Sequence, residues 1–168
     1  MIYLPHGASG NATSMQPYVD GLRKRGMSAA TVQLPKGAAE RAMDPYRAQV
    51  TDYAGAVIGG HSFGGRVAGM LAAQESPRAL VLLSYPLHRP GRPDEQRTAH
   101  WSQIQCPVLL LSGESDPFAH IDLLRAAVHI LPSAELFTYP GVGHGLQRVL
   151  DDALDRIAEF VNGLSPQS

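Results

Sequence analysis

The sequence has a single cysteine, Cys106, which excludes an intrachain disulfide and any metal site built from several thiolates. Lysine is nearly missing: Lys24 and Lys36 are the only ones, and all other basic residues are arginine. Charge of either sign is scarce, at 17% of residues against about 25% in an average domain. A formal net charge of −1 leaves no basic excess to release counterions from nucleic acid, and no polybasic patch for a membrane surface. No stretch approaches the roughly 18 apolar residues of a membrane-spanning helix. The first residues show no charged segment followed by an apolar one, so no signal peptide and a cytoplasmic location are expected. His88, His100, His120 and His129 have no ligand spacing among themselves, so no metal site is expected.

What is present suits one core. The 168 residues are 44% hydrophobic, which fits a folded domain and not a disordered chain. The expectation is a single domain over 1–164 with a flexible tail at 165–168. Glycine (17) and proline (13) are plentiful without a period, which points to a turn-rich fold.

Short apolar runs recur at 2–4, 29–34, 56–59, 79–84, 108–112 and 135–139. Val81-Leu82-Leu83 and Val108-Leu109-Leu110-Leu111 are continuous, as expected of strands covered on both faces. Helical stripes lie between them. Met15, Tyr18, Val19 and Leu22 form one, and Ile121, Leu124, Val128 and Leu131 another. Leu150, Leu154, Ile157, Phe160, Val161 and Leu164 form the last, while 63–75 is a Gly- and Ala-rich segment fit to lie close on a sheet. This alternation predicts a doubly wound α/β fold, a mainly parallel sheet with helices on both faces. The polar, proline-bearing segment 86–99 reads as a surface loop.

The sharpest local signal is Gly60-His61-Ser62-Phe63-Gly64, a G-x-S-x-G pattern between an apolar run and a small-residue helix. Strand, sharp turn and helix together make the setting of a nucleophile elbow. The turn needs small neighbours, which Gly60 and Gly64 supply, and it holds a serine at a helix N-terminus where negative charge is favoured. A glycine-rich turn capped by serine would satisfy the same five residues. The flanking strand and helix patterns, with an acid and a base placed farther along the chain, favour the nucleophile. A serine needs a base, and the base an orienting carboxylate. Asp116 follows the run 108–112, and His144, between Gly143 and Gly145, follows 135–139. Asp116 could instead cap the helix after Pro117, and Glu114 is a rival acid. Asp116 is preferred because it lies farther along the loop.

Leu4-Pro5-His6-Gly7-Ala8-Ser9-Gly10 follows the first strand as a His-Gly loop. It is expected to supply one oxyanion donor from the backbone N–H of Ala8, with Ser9 as second choice. Phe63 N–H is the expected other donor. Ser9, Tyr85 and Phe118 are the expected substrate-binding residues. Tyr85 and Trp101 could equally be packing residues, His61 is expected to pack or bond locally, and Cys106 is expected to be buried and inert.

Ser62, Asp116 and His144, with His6-Gly7, resemble the α/β-hydrolase superfamily. Ser84-Tyr85-Pro86-Leu87-His88, Arg97 and 107–113 narrow the resemblance to a small lid-less subfamily. That subfamily holds testis-expressed hydrolase-like proteins, a hydrolase-like domain of a histone acetyltransferase regulatory subunit, and bacterial relatives. It is related to enzymes of the dienelactone-hydrolase type. The resemblance implies a serine hydrolase of carboxylic esters or thioesters that works through an acyl-enzyme and uses no cofactor. It also implies six parallel strands in the order 2-1-3-4-5-6, lacking the superfamily's first two strands and any cap domain. Either the chain is a minimal hydrolase, or its true start lies upstream. The second strand would be an edge, which leaves a homodimer open. The rival readings are a non-enzymatic interaction module of hydrolase shape, and an acyltransferase or perhydrolase using the same three residues.

Overall fold

The structure is a computed structural model and describes residues 1–166. Six strands form one sheet: β1 (Ile2–Pro5), β2 (Ala29–Val32), β3 (Val57–His61), β4 (Ala79–Leu83), β5 (Val108–Gly113) and β6 (Ala134–Tyr139). Their order is β2-β1-β3-β4-β5-β6, as the family resemblance implies, and every pairing is parallel, as the alternation of strands and helices predicts. Five helices connect them: α1 (Gln16–Lys24), α2 (Ala39–Ala48), α3 (Phe63–Gln74), α4 (Ile121–Ala127) and α5 (Leu150–Asn162). No cap insertion occurs among the described residues. Of the tail expected at 165–168, Gln167 and Ser168 lie outside the described residues.

Two cores flank the sheet, and strand alternation divides the side chains between them. Leu80, Leu82, Val108 and Leu110 face α2, α3 and α4; Val81, Leu83, Leu109 and Leu111 face α1 and α5. Every residue of β4 and β5 is buried, which explains their continuous apolar runs. Gly21 lets α1 approach α5, because a Cβ there would stand 2.3 Å from a Leu154 methyl.

Two departures from the sequence expectation have physical causes. The helix α2 is not anticipated by the sequence pattern, because Pro45 sits in its interior and removes one helical donor. Its stripe of Ala39, Ala42, Met43 and Tyr46 is buried, and tertiary packing outweighs the proline. The segment 86–99 is not simply a surface loop. Pro86, Leu87 and His88 are buried. His88 Nδ1 donates to Arg89 O at 2.8 Å, and His88 Nε2 accepts His120 N–H at 2.9 Å.

The strands β1 and β3 pair only at Ile2↔Val57 and Tyr3↔Ile58, then diverge. Tyr46 bridges the gap. Its hydroxyl accepts Gly59 N–H at 3.0 Å, and its one proton serves Tyr3 O at 3.0 Å and Gly59 O at 2.9 Å. The ring is fully buried, and burial pushes the phenol far above its ordinary value. The side chain thus replaces ladder bonds the splayed strands cannot make.

Tyr46→Phe is expected to leave three buried backbone groups short of a partner and to destabilise the fold by about 1–3 kcal/mol, read from urea denaturation. A second prediction concerns His100, whose Nε2 is buried without a hydrogen-bond partner among the described residues. Burial, then the nearby Arg66 charge, push its pKa from 6.5 down to about 4. The unfolded chain therefore binds more protons between these values, so stability falls as pH drops from 6.5 towards about 4. His61 shifts in the same direction. His100→Gln is expected to flatten, but not abolish, that slope in denaturation series across this window.

Candidate active site

In an open α/β sheet, the crevice forms where neighbouring connections leave on opposite faces. Here that point is the gap between β1 and β3. The loop 6–11 follows β1, and Ser62 follows β3. The loops after β5 and β6 bring Asp116 and His144 to the same end of the sheet.

Ser62 sits on a strained turn with φ 49° and ψ −115°. Its N–H still donates to Leu83 O at 2.8 Å, continuing the ladder up to the bend. Gly60 at φ 149° lies under the turn, where a Cβ would come within 2.7 Å of the Gly64 backbone. A Cβ on Gly64 would come 2.7 Å from the carbonyl oxygens of Pro5 and His6. Both glycines are therefore set by backbone approach as well as by the turn, and together they hold α3 against the end of β1.

Hydrogen bonds join the three side chains in a line. His144 Nε2 lies 2.8 Å from Ser62 Oγ, and His144 Nδ1 lies 2.8 Å from Asp116 Oδ2. A carboxylate only accepts, so Nδ1 carries the proton and Nε2 is left to accept the serine hydroxyl. The Asp116 side chain is wholly buried, and its other oxygen accepts Phe118 N–H at 2.8 Å. That bond closes a turn and caps no helix, because α4 begins only at Ile121 with His120 at its N-cap. Glu114 takes no part: it accepts from Thr138 Oγ1 at 2.7 Å and pairs with Arg125 at 3.2 Å. Gly113 explains how the two loops meet. A Cβ there would stand 2.2 Å from Val142 O, and Ser115 N–H donates to that same oxygen at 2.9 Å.

The His-Gly loop is oriented by His6, which is buried. Its Nε2 accepts Leu34 N–H at 3.1 Å, so Nδ1 carries the proton and donates to Gly7 O at 2.7 Å. Gly10 N–H also donates to Gly7 O, at 3.1 Å. In a trans peptide the C=O and N–H point in opposite directions. Holding Gly7 O towards His6 therefore turns Ala8 N–H away from it. Phe63 opens α3, so its N–H has no helical partner. Gly7, Ala8, Ser9 and Phe63 line one cleft of about 870 Å³ with Ser62 and His144. Phe118 lines it too, its ring 4.4 Å from that of His144.

The structure places Tyr85 elsewhere than expected. Its ring is 1% exposed, packed 5.0 Å from the buried Trp101, with the hydroxyl donating to Arg97 O at 2.6 Å. Tyr85 does not line the cleft, because the chain after β4 turns it into the core below. Ser84, at φ 50°, makes that turn. Cys106 is buried and free, its thiol pushed up to about 11 by burial. His61 is a site neighbour that the sequence does not reveal. Its Nε2–H donates to His144 O at 3.0 Å, a bond across the fold and not a local one. Burial holds its pKa below the ordinary value, so the ring is neutral at pH 7. Arg66, on α3, also reaches the cleft, as do Arg89 and Arg97, whose positions depend on a loop path that the sequence does not reveal.

Among the described residues no three His, Cys, Asp or Glu side chains form a metal-binding group, and no helix is long and apolar enough to cross a membrane. The solved structures with this fold include a monoacylglycerol lipase from Paleococcus ferrophilus, at 15% identity and a TM-score of 0.83, covering 98% of this chain and 94% of that one. Est1E from Butyrivibrio proteoclasticus is similar at 17% identity and a TM-score of 0.79, covering 96% and 86%. At such identities the likeness is one of fold. The sequence itself matches the alpha/beta hydrolase domain family over residues 17–161, most of its length. With the strand order, the turn at Ser62 and the crevice between β1 and β3, this match assigns the chain to the α/β-hydrolase family.

Proposed function

We propose that the protein is a serine hydrolase that cleaves a carboxylic ester or thioester through an acyl-enzyme. The observation that carries this reading is the unbroken line from Ser62 through His144 to buried Asp116, opening on a cleft. Ser62 Oγ attacks the carbonyl carbon as its proton passes to His144 Nε2. Asp116 keeps His144 in the required tautomer and stabilises the imidazolium. The oxyanion meets Ala8 N–H, turned by the His6–Gly7 contact, and Phe63 N–H at the start of α3, with Ser9 N–H the alternative to Ala8. Such donors lower the barrier by about 3 kcal/mol each. The bond to the alkoxide or thiolate breaks, and His144 returns its proton to the leaving atom. Water, deprotonated by His144, then cleaves the acyl-Ser62 ester to release the acid and restore the serine.

The test is labelling by a fluorophosphonate probe beside hydrolysis of short p-nitrophenyl esters. Wild type is expected to label and turn over. Ser62→Ala is expected to lose label and about a millionfold in kcat, and Asp116→Asn about 10,000-fold. A wild type that neither labels nor hydrolyses would instead be an interaction module of hydrolase shape. Acid appearing in step with alcohol separates hydrolysis from acyl transfer.

His61 acts through His144 as a positioning residue. Its bond to the His144 carbonyl holds the loop that carries the base. His61→Ala is expected to lower kcat about ten- to hundredfold with little change in KM. His61→Gln, which keeps a donor, is expected to recover part of the loss. A purely structural role would instead lower the fraction of labelled enzyme and leave kcat per labelled site unchanged.

A further inference from the structure

Three guanidinium groups converge on the cleft, and the chemistry at Ser62 uses none of them. Arg66, Arg89 and Arg97 all line it. Of the nine other arginines, five pair with carboxylates among the described residues, Arg25, Arg47, Arg92, Arg125 and Arg156, and the four that do not, Arg23, Arg41, Arg78 and Arg148, line no common space with the cleft. Among the described residues the cleft arginines have no carboxylate within 4.0 Å. In a chain with few charges and a net charge of −1, such a gathering is not a matter of average composition.

Two of the three are held in place. Arg66 lies one helical turn beyond Ser62, its N–H donating to Ser62 O at 3.0 Å. It therefore follows the nucleophile by about 6 Å along α3. Arg97 is fastened by its backbone: its N–H donates to Leu87 O at 2.7 Å, and its carbonyl accepts the buried Tyr85 hydroxyl at 2.6 Å. Its Nη1 reaches only Pro86 O, at 3.4 Å. Arg66 and Arg97 are half-buried, and Arg89 is exposed at the mouth. Burial, then the charges of Arg66 and Arg89, hold Arg97 below its ordinary pKa, so the groups feel one another.

A second cavity of about 410 Å³ shares Arg66, Arg97 and Glu40 with the cleft. The two arginines thus stand in a wall common to both spaces. Glu40 is the one carboxylate lining either space, and it sits in the first turn of α2, where the helix end favours it. The other titratable groups of the cleft, Tyr18, His61 and His144, add no negative charge at neutral pH. Three arginines and one glutamate leave an excess of two positive charges. A phosphate monoester carries about two negative charges at pH 7, and guanidinium forks match its oxygens. A carboxylate supplies one.

Resting on the hydrolase reading, we infer that the substrate is an acyl ester or thioester bearing a phosphate group, which Arg66 and Arg97 grip, with Arg89 at the mouth, while the carbonyl lies at Ser62. The phosphate is a handle and undergoes no bond change. The bond broken is the acyl C–O or C–S bond, with water as the final acceptor of the acyl group. Tyr85 belongs to this arrangement as the residue that positions Arg97, although it does not line the cleft.

The experiment compares 1-butyrylglycerol 3-phosphate with 1-butyrylglycerol and with 3-(butyryloxy)propionate at one ionic strength. The phosphate ester is expected to exceed the neutral ester in kcat/KM by about tenfold or more, and the carboxylate ester to fall between them. A parallel pair, butyryl-coenzyme A and butyryl-N-acetylcysteamine, asks whether the phosphate belongs to a nucleotide-bearing thioester. Preference in either pair supports the inference and names the source. Arg97→Gln and Arg66→Gln are each expected to collapse the ratio, mainly through KM, and Arg97→Lys to keep part of it. Arg97 lies outside the helices and sheet, so its variant is the one read if Arg66→Gln fails to fold. Equal kcat/KM in both pairs, a preference for the carboxylate ester, or a ratio that survives in the double variant overturns the inference. Fluorophosphonate labelling of the same proteins separates the two readings. Label without phosphate preference removes the inference and leaves the hydrolase. Without label or turnover, the hydrolase reading falls. Calorimetry with inorganic pyrophosphate on wild type and the double variant then decides whether the anion site exists: binding lost in the variant keeps it, and no binding to wild type removes it.

Discussion

The structure depends on the parting of β1 from β3. Parallel strands need crossover connections, and here those connections leave on opposite faces of the sheet on either side of that gap. The strands pair over two positions and then separate. Separation opens the crevice but strands backbone groups inside a fully buried layer. The Tyr46 hydroxyl meets Tyr3 O and both polar groups of Gly59, so the sheet can splay without leaving them bare. Everything described at the site lies at the end of this gap.

Close backbone approach then assembles the polar groups. Gly64 lets α3 press on the end of β1, which sets the Phe63 N–H beside the loop that carries Ala8. Gly113 does the same for the loops after β5 and β6, and so sets His144 against Asp116. Around these contacts, each imidazole has a tautomer fixed by a neighbour. His6 is fixed by Leu34 N–H, His144 by Asp116 and His61 by the His144 carbonyl. The hydrogen-bond pattern therefore fixes the proton on each of these rings within the fold itself.

Charge is distributed by the same logic. Most of the outer ion pairs are exposed and contribute little to stability. The cleft instead holds arginines without carboxylate partners, one of them tied by backbone bonds to a buried tyrosine. Positive charge in a half-buried wall is unfavourable unless an anion meets it. The segment 86–99 thus presents Arg89 and Arg97 to the cleft on one side and holds buried packing residues on the other.

Local pattern determined a good deal on its own. Continuous apolar runs and small-residue turns identified all six strands, their parallel arrangement and four of the five helices, because these depend on periodicity within short windows. The turn at Ser62 was legible because only glycine fits Gly60 and Gly64. Asp116 and His144 were legible because each ends a strand run. Pairwise contacts across the fold were not legible. The helix α2 was hidden by Pro45, whose lost donor is outweighed by burial of Tyr46. Tyr85 was expected in the cleft and lies in the core, while Arg97, twelve residues on, reaches the cleft because the Tyr85 hydroxyl holds its carbonyl. His61 sits beside Ser62 in sequence, yet its partner is His144. Sequence spacing sets which face a residue takes within its own element. Which distant group it meets is decided only when the loops cross, because that depends on where separate backbones come within a few ångströms of one another.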